Sequence, residues 1–505
     1  MEMDGCMDVC TSKYDVVIVG AGPGGLAAAR GAHEAGATRV LVLERDERAG
    51  GILNQCIHDG FGIIRYRQQL TGPEYALRAE REAEEAGIEL LTGCHVVDIH
   101  PCEDRVCTDT VLDKASCSDE ALNTGFIVTA ICRDGLQHIQ AGAVVLATGC
   151  RERTRGAIAI TGSRPSGVFT AGVTQNLVNI RNIMPGSKVV ILGSGDVGMI
   201  MARRLSLEGA EIKAVIEVLP EPAGLSRNVS QCLYDYNIPI YCSHTVSKII
   251  GKKRLEAVEI SELDEAMQPV DGTQQRIECD TLVLSVGLIP ENEVAQTAGV
   301  ELDAATNGML TDSYLQTSVP GIFACGNARR IMDLADFVSE QGELAGRNAI
   351  AYLNSQAANN LNSSAANNPS VTKMIPWDEA RTASMAKGFP EPGVVTCTLC
   401  PTGCQVKYNE ALGTYEGNKC PRGAAFAEQE RLAPQRILTT TVKLAEGGLL
   451  PVRSEEPVDK QLLPSLIREL SKLTITAPFK CGDEITCLST YKNCSIRIVA
   501  AADVL

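Results

Sequence analysis

The chain has 505 residues, enough for about three domains with buried cores, and its net charge is −16, from 46 basic and 62 acidic side chains. Nucleic acids and anionic membrane surfaces need a basic patch on their partner, so this acidic balance argues against both, and no run approaches the ~18 apolar residues of a membrane span. The segment from Met1 to Lys13 is acidic and lacks the apolar core of a signal peptide, so we expect a cytoplasmic protein.

The first predicted element is a buried strand, Val16 to Val19, which leads into the turn Gly20-Ala-Gly22-Pro-Gly-Gly25. Glycine makes such a tight turn at little cost, and the helix that follows presents unpaired N–H groups and a positive dipole end to a pyrophosphate. Glu44 then ends the run Val40 to Leu43, where a carboxylate accepts hydrogen bonds from ribose hydroxyls. Strand, turn, helix and acid together predict a dinucleotide site.

A second fingerprint of the same design follows the strand Val189 to Leu192, with Gly193, Gly195 and Gly198 in the turn and Glu217 as the acid. In both copies the glutamate stands 19 residues after the third glycine, so the chain is predicted to bind two dinucleotides. Glu217 would repel a 2′-phosphate, and the segment that follows, up to Glu221, offers no arginine. The second site is therefore predicted to take a dinucleotide with free ribose hydroxyls rather than one with a 2′-phosphate.

Glycine-rich loops and repeated strands connect the two fingerprints. A loop that begins at Gly50 and carries Gly51, Cys56 and His58 can approach a flat ligand. The buried strand and turn ending in Thr148 and Gly149 have a near copy that contains Gly287, after the second fingerprint, so we infer that the second nucleotide unit is inserted into the first. A further strand and turn end in Gly326 and Asn327, and a helix is predicted from about Asp336 to Tyr352.

The predicted fold class is α/β, with two Rossmann-like dinucleotide-binding domains, the second inserted in the first, and a small cysteine-rich C-terminal domain. The predicted boundaries are 14–158 and 288–352 for the two parts of the first dinucleotide-binding domain, 159–287 for the second, 353–372 for a flexible linker, and 373–505 for the cysteine-rich domain. The linker is predicted because Asn, Ala and Ser dominate this stretch.

Residues 14 to about 352 resemble the two-dinucleotide-binding flavoproteins of the pyridine nucleotide-disulfide oxidoreductase superfamily, especially the flavoprotein subunits allied to opine and amino-acid dehydrogenases and to anaerobic glycerol-3-phosphate dehydrogenases. The resemblance implies that the first domain binds FAD and the second binds a nicotinamide coenzyme, which the acid Glu217 predicts to be NADH rather than NADPH. The FAD residues would be Gly20, Gly22, Gly25, Glu44, Gly51, Thr148, Gly149, Gly326 and Asn327, and the NAD residues Gly193, Gly195, Gly198, Glu217 and Gly287. Family members usually carry aspartate where this chain has Asn327, but an amide can still bond a ribityl hydroxyl.

The chain departs from the disulfide reductases of that superfamily, which need two cysteines close in sequence beside the flavin. Cys56 is alone in its loop, with Phe61 where a second cysteine would fall, and Cys232 and Cys242 are too far apart for a CxxC pair. We therefore disfavour disulfide reduction. Cys56 and His58 are candidate catalytic residues that would act as acid, base or electrostatic tuners of the flavin, and the alternative is a packed thiol and a loop-capping imidazole.

The C-terminal module clusters four of the 20 cysteines, as Cys397-Thr-Leu-Cys400-Pro-Thr-Gly-Cys404 and a distant Cys420. Three thiolates within eight residues and a fourth followed by proline favour a [4Fe-4S] cluster, with structural zinc and free thiols as alternatives. The module also resembles a small cysteine domain found fused to or encoded with such flavoproteins. Scattered cysteines such as Cys132, Cys150 and Cys279 are interpreted as core or surface thiols.

These features predict an FAD-dependent NADH oxidoreductase that passes electrons between NAD(H), FAD and the cluster, to or from a partner dehydrogenase or acceptor subunit, in a direction that the sequence does not set. The alternative is a noncatalytic electron-transfer or assembly subunit of a glycerol-3-phosphate or amino-acid dehydrogenase complex, with structural zinc. Several loop arginines are either anion ligands or solvated side chains: Arg65, Arg67, Arg151, Arg153 and Arg155.

Overall fold

The computed structural model describes residues 13–102, 125–360, 373–382, 385–391, 393–489 and 495–504. The acidic segment at the start of the chain, residues 1–12, and most of the predicted linker, residues 361–372, lie outside the described residues.

The first dinucleotide-binding domain starts with the strand, turn and helix of the first fingerprint. Its elements are β1 (Lys13–Val19), α1 (Pro23–Glu34), β2 (Val40–Leu43), β3 (Asp59–Phe61), β4 (Leu70–Thr71), α2 (Gly72–Glu85), β5 (Glu89–Leu91), β6 (His95–Pro101), β7 (Phe126–Cys132), β8 (Gly135–Leu146) and β9 (Cys150–Glu152). In the sheet order β5-β2-β1-β8-β7-β6, β1 lies between β2 and β8 and parallel to both. Its apolar run is buried on both faces, as in other parallel sheets.

The second dinucleotide-binding domain repeats this plan. Its elements are β10 (Thr161–Gly162), β11 (Val168–Thr170), α3 (Ala171–Asn179), β12 (Lys188–Leu192), α4 (Asp196–Leu207), β13 (Glu211–Ile216), α5 (Ser226–Asn228), β14 (Ile240–Tyr241), β15 (His244–Gly251), β16 (Leu255–Glu262), β17 (Gln275–Glu278), β18 (Thr281–Leu284) and β19 (Leu288–Pro290). The parallel sheet has the order β11-β18-β12-β13-β14. The strands β9 and β19 pair antiparallel, so the two near-copy segments meet where the domains join.

The chain then returns to the first domain through α6 (Glu293–Thr297), β20 (Ile322–Ala324) and α7 (Ala335–Asn360). The strand β20 pairs with β8 in the first sheet, so the second nucleotide unit is inserted between two parts of the first. This arrangement confirms the predicted α/β fold class with its Rossmann-like domains.

The helix α7 is longer than predicted. Its expected end was Tyr352, and the flexible linker was expected to start at residue 353, but the helix continues to Asn360. No glycine or proline stands between Tyr352 and Pro369, and the alanine and glutamine residues of this stretch have high helix propensity. The first part of the predicted linker is therefore helical, and the prediction of a linker there was wrong.

The C-terminal domain combines a small cysteine-bearing part with a β-sheet. Its elements are β21 (Val395–Thr396), β22 (Gln405–Asn409), β23 (Thr414–Glu416), α8 (Pro421–Leu432), β24 (Gln435–Arg436), β25 (Thr439–Leu444), β26 (Leu449–Ser454), β27 (Val458–Asp459), α9 (Leu463–Leu470), β28 (Thr474–Ile475), β29 (Glu484–Ser489) and β30 (Ser495–Ala500). The larger sheet, β28-β25-β26-β30-β29, is covered by the apolar face of α9. Within the described ranges, no helix is both long and apolar enough to cross a membrane.

Candidate functional site

In the first glycine-rich turn, two glycines are required by close packing and the middle one faces open space. Gly20 has a φ of +102°, and a Cβ on it would lie 2.6 Å from the carbonyl oxygen of Ala147. A Cβ on Gly25 would lie 1.7 Å from the carbonyl oxygen of Gly20, whereas one on Gly22 would meet no protein atom within 4 Å. The fold itself therefore requires the first and third glycines. The middle one leaves an open cradle, as expected where a pyrophosphate approaches the backbone.

In the second turn, too, the first and third glycines are closely packed and the middle one faces open space. Gly193 has a φ of +101°, and a Cβ on it would lie 2.0 Å from the carbonyl oxygen of Ser285. A Cβ on Gly198 would lie 2.5 Å from the carbonyl oxygen of Gly193, but the nearest atom to one on Gly195 is 3.8 Å away. Because the middle glycine again has no packing role, this turn also fits a pyrophosphate.

The two acids occupy equivalent positions. Glu44 is 5% exposed and its Oε2 accepts a hydrogen bond from the backbone N of Ala21 at 2.7 Å. Glu217 is 3% exposed and its Oε2 accepts one from the backbone N of Ser194 at 2.8 Å. In each case Oε1 accepts from the backbone N–H two residues later, at 2.9 Å. Each carboxylate is thus held beside its turn, and its remaining lone pairs can accept ribose hydroxyls.

Other predicted FAD residues surround the first turn. Gly51 has a φ of +55°, and a Cβ on it would lie 3.2 Å from the Cα of Gly22. The backbone of Thr148 lies on another side, since a Cβ on Gly20 would be 3.6 Å from its N atom. Gly326 follows β20, directly after a residue that hydrogen-bonds the end of β8. The structure therefore brings these sequence-predicted residues together at one edge of the sheet.

The side chains of Thr148 and Asn327 bind their own loops. Thr148 Oγ1 donates a hydrogen bond to the carbonyl oxygen of Glu291 at 2.7 Å, and Asn327 Oδ1 accepts one from the backbone N of Met332 at 2.9 Å. These bonds fix the loops, and contact with a flavin stays a prediction for both residues. Gly149 and Gly287, with φ of +74° and +100°, are the left-handed turn residues that precede β9 and β19.

Sequence reasoning missed Gln341, a fully buried residue of α7. Its Oε1 accepts a hydrogen bond from the backbone N of Gly326 at 2.8 Å, while its Nε2 has no partner among the residues described. An unpaired buried donor beside Gly326 fits a ligand at this loop, because such groups are normally satisfied. No motif marks Gln341, since it stands 15 residues after Gly326 in a mixed helical stretch.

Cys56 and His58, the predicted catalytic residues, are both uncharged at neutral pH. Burial raises the pKa of the Cys56 thiol to about 12, and its sulfur lies 3.6 Å from Oε1 of Gln175. Burial, and then the charges of Arg203 and Arg227, lower the pKa of His58 to about 3. The loop therefore presents a thiol and a neutral imidazole rather than a thiolate and imidazolium pair. A catalytic role for either residue stays a prediction.

A buried chain of amides behind this loop joins the domains. Gln55 Nε2 donates to Oε1 of Gln175 at 3.0 Å, and Asn179 Nδ2 donates to the carbonyl oxygen of Gln55 at 2.9 Å. Arg204 Nε then donates to Oδ1 of Asn179 at 2.9 Å, and its Nη1 donates to Oγ1 of Thr440 at 3.3 Å. The chain runs from the first domain through the second to the C-terminal sheet. Sequence reasoning could not find it, because its members come from separate segments.

Cys132 was predicted to be an isolated thiol, and that prediction was wrong: it forms a disulfide with Cys94. The antiparallel register of β6 and β7 places His95 opposite Ile131, which puts the two cysteines opposite each other at the strand ends. The backbone N of Cys94 donates to the carbonyl oxygen of Glu44 at 2.8 Å, so the disulfide lies beside the predicted ribose acid. Cys150 and Cys279 are free thiols, as predicted.

The four cysteines of the C-terminal module gather around one turn. The backbone N of Cys397 donates to the carbonyl oxygen of Cys404 at 2.8 Å, Gly403 has a φ of +59°, and Cys420 caps the start of α8. Burial raises the pKa of Cys397, and the nearby Cys400, Cys404 and Cys420 raise it further. In the part of the chain that the structure describes, however, no group of three or more His, Cys, Asp or Glu side chains has the arrangement of a metal site. Metal ligation by these residues therefore stays a prediction.

The cysteine-bearing part lies against the second dinucleotide-binding domain. The backbone N of Ser226 donates to the carbonyl oxygen of Ala386 at 3.0 Å, and Lys387 pairs with Asp333 at 2.7 Å. A Cβ on Gly403 would be 3.5 Å from the Cβ of Ala386. The segment around Ala386 therefore connects the cysteine loop to both nucleotide-binding domains.

The repeated cradle and acid define a protein with two dinucleotide-binding sites. Residues 14–342 match the family model described as pyridine nucleotide-disulphide oxidoreductase, and the chain belongs to that family. Binding of FAD and a pyridine nucleotide is in keeping with that membership. Residues 421–501 match a model described as a protein of unknown function, DUF1667, and the four clustered cysteines precede that match.

The chain is 25% identical to an opine oxidase subunit of Agrobacterium tumefaciens (strain Ach5) over 67% of its own length and 66% of the relative. It thus spans just under two thirds of that relative. It is 28% identical to the alpha subunit of sarcosine oxidase from Corynebacterium sp. (strain U-96) over 55% of its length and 26% of the relative. The crystal structure of T. acidophilum thioredoxin reductase shares the fold, with a TM-score of 0.51, 23% identity, and coverage of 69% of this chain and 99% of that one.

Proposed function

We propose that the protein transfers electrons between NAD(H) and a partner protein, with FAD in the first dinucleotide site and a [4Fe-4S] cluster held by Cys397, Cys400, Cys404 and Cys420. The observation that carries the proposal is the duplicated site, in which each open glycine cradle stands beside a buried, hydrogen-bonded glutamate. FAD, when bound, supplies the chemistry that accepts a hydride and releases electrons singly.

The charge around Glu217 supports NADH as the coenzyme. Its carboxylate is fixed at the ribose position, and the exposed Glu221 adds negative charge close by in sequence. A 2′-phosphate would meet this charge without an arginine to pair with. The residues of the second site therefore accept a ribose with free hydroxyls.

Because Cys56 is uncharged, we expect electrons to leave the flavin by a route other than disulfide exchange. Disulfide exchange needs a thiolate, and a thiol with a pKa of about 12 stays protonated at neutral pH. Among the described cysteines, Cys94 and Cys132 form a disulfide next to Glu44, and Cys56 is a free thiol. In our proposal Cys56 and His58 act as hydrogen-bonding groups that set the environment of the flavin.

The names of the relatives support the proposal that this protein works with a partner protein. The matching chains of opine oxidase and sarcosine oxidase are, by name, subunits of larger oxidases. Cys400, Cys404 and Cys420 are only half-buried, so their loop is accessible from outside. We propose that a dehydrogenase or acceptor subunit exchanges electrons with this protein there, in either direction.

The variant Cys400→Ser tests the cluster. We expect it to lose iron and keep its FAD, because one of four cluster ligands is removed and no residue of the first glycine cradle changes. Iron and flavin analysis of the purified protein would measure both. The matched control is Cys242→Ser, which changes a half-buried free thiol outside the cluster and should keep iron and FAD.

Iron contents that are equal in Cys400→Ser and wild type would contradict the ligand assignment. Zinc in place of iron in the wild-type protein would contradict the cluster itself and favour a structural metal and the noncatalytic subunit.

A further inference from the structure

The Cys56 loop, residues 50–58, borders the first glycine cradle. The backbone N of Gly50 donates to the carbonyl oxygen of Ala21 at 2.8 Å, and a Cβ on Gly51 would lie 3.2 Å from the Cα of Gly22. Part of the loop is a short 3₁₀-helix, whose hydrogen-bond geometry is poorer than that of an α-helix. Both glycines of the loop have positive φ, and glycine loses more backbone entropy on folding than other residues do. Contacts from outside the loop must therefore help to hold it in place.

The N-terminus of α2 binds the carbonyl group of Cys56. The backbone N of Gly72 donates to this oxygen at 2.9 Å, and a Cβ on Gly72 would lie 2.4 Å from it. Thr71 is the N-cap of α2: its backbone N donates to Oε2 of Glu74 at 2.7 Å, and its Oγ1 accepts from the backbone N of Glu74 at 3.4 Å. This capping box sets where α2 begins, and so it also places the N–H that holds the loop.

The C-terminal sheet supplies the counter-charge of the capping box. Arg453, in β26, pairs through Nε with Oε1 of Glu74 at 2.7 Å, and its Nη1 donates to the carbonyl oxygen of Ser454 at 3.0 Å. Glu74 is 8% exposed, so little water solvates its carboxylate. Loss of the guanidinium would leave this carboxylate buried without its charged partner, which is unfavourable. Arg453 therefore stabilises the start of α2 from another domain.

A second route reaches the loop from the neighbouring strand. Thr440, in β25, accepts a hydrogen bond from Arg204, which in turn donates to Asn179. Asn179 then donates to the carbonyl oxygen of Gln55. Thr440, Arg204 and Asn179 are each at most 6% exposed, so competition from water is weak along the whole route.

The two routes start and end close together. In the register of the C-terminal sheet, Thr439 lies opposite Arg453, so the routes leave two paired strands one residue apart. They end on the carbonyl groups of two consecutive residues, Gln55 and Cys56. Thr439 also lines a small cavity with His58, which places the sheet next to the end of the same loop.

We propose that the C-terminal sheet positions the Cys56 loop against the first dinucleotide cradle, with Arg453 and Arg204 as positioning residues. The sheet falls largely within residues 421–501, the segment that matches a model of unknown function, so the proposal gives this segment a role. It goes beyond the proposed function, since holding the loop requires neither NADH oxidation nor an iron–sulfur cluster.

Hydrogen–deuterium exchange with mass spectrometry on the full-length protein tests the proposal. We expect exchange in the peptide covering residues 50–58 to be about fivefold faster or more in Arg453→Met and in Thr440→Val, because each removes a partly buried polar contact. Arg453→Lys, which keeps the charge, should exchange more slowly than Arg453→Met. Iodoacetamide alkylation of Cys56, measured relative to Cys242 in the same samples, should rise in Arg453→Met and rise less in Arg453→Lys, since a looser loop exposes its thiol.

The matched control is Arg497→Met, which removes an arginine of the same sheet whose partners, Glu455 and Glu484, belong to the C-terminal domain. Its exchange in residues 50–58 should match wild type. Circular dichroism shows whether each variant is folded, and if Arg453→Met does not fold, Thr440→Val decides the outcome. Wild-type exchange in folded Arg453→Met or in folded Thr440→Val, or an equal acceleration in Arg497→Met, would overturn the proposal.

Discussion

At the residue scale, Glu44 and Glu217 have the same hydrogen-bonding arrangement in the two dinucleotide sites. Each carboxylate accepts a backbone N–H from the turn and another from its own strand end, so its charge is fixed where a ribose would lie. The difference between the two nucleotides must then come from the surrounding loops. Glu217 is the residue whose change should alter coenzyme choice.

The substitution Glu217→Arg should weaken NADH and improve NADPH in a stopped-flow assay of flavin reduction. The carboxylate that accepts the ribose hydroxyls is lost, and a guanidinium that can pair with a 2′-phosphate replaces it. We expect a shift of at least about tenfold in the NADPH-to-NADH ratio of apparent affinities. The control Glu256→Arg makes the same charge change at an exposed position in the same domain. An unchanged coenzyme preference in Glu217→Arg would refute the ribose assignment.

His58 should make the protein more sensitive to acid. Its pKa is about 3 in the folded chain, below its ordinary value of 6.5, so the unfolded chain binds a proton that the folded chain excludes. Stability from this residue is therefore present above pH 6.5 and is lost as the pH falls from 6.5 toward 3, by at most about 1.4 kcal/mol per pH unit. Urea unfolding of wild type and His58→Gln from pH 7 to pH 5 would measure the difference. Parallel pH dependences would contradict a neutral, half-buried His58.

Residues in motifs could be predicted, and residues that act through tertiary contact could not. The glycines and glutamates were found because the chemistry of a pyrophosphate and a ribose fixes their spacing. Gln341 has no such spacing. Its buried, unpaired donor lies beside Gly326 because of where the fold places α7, which a single sequence does not show.

At the element scale, the helices α1 and α7 pack unusually closely. A Cβ on Gly31 would lie 2.1 Å from the carbonyl oxygen of Glu343, and one on Gly346 would lie 1.9 Å from that of Ala28. Neither contact can be relieved by rotating a side chain, because both involve backbone atoms. The α1–α7 contact therefore depends on glycine, and it positions α1, whose N-terminus faces the first cradle.

Gly346→Ala should destabilise the protein by about 1–3 kcal/mol or more, because the added methyl group forces the helices apart. Thermal unfolding and FAD retention would both report the change, since movement of α1 disturbs the cradle. The control Gly156→Ala adds a methyl group where the nearest atom is 3.8 Å away, and should leave both unchanged. A Gly346→Ala variant as stable as wild type would contradict the observed packing.

The features that the sequence patterns predicted wrongly were those that depend on contacts with neighbouring elements. The extension of α7 to Asn360 was missed because a run of Asn, Ala and Ser is compatible with either a linker or a helix. The disulfide between Cys94 and Cys132 was missed because it depends on the pairing of β6 with β7 across a long intervening segment. The buried strands of both parallel sheets were predictable from their continuous apolar runs.

At the scale of the whole molecule, charged and polar contacts join the three domains. Arg436, in the C-terminal domain, pairs with Asp235 of the second domain at 2.8 Å and with Glu430 at 2.6 Å. Arg204 of the second domain connects Asn179 to Thr440 of the C-terminal sheet. These partly buried contacts hold the C-terminal sheet against the second dinucleotide-binding domain.

The most direct test of the account is an anaerobic titration of the purified protein with NADH, with flavin absorbance and electron paramagnetic resonance recorded on the same samples and NADPH as the comparison. The account predicts that NADH bleaches the flavin at lower concentrations than NADPH and that a reduced-cluster signal appears with the bleaching. A flavin that NADH does not reduce would contradict the proposed electron transfer and favour a noncatalytic subunit.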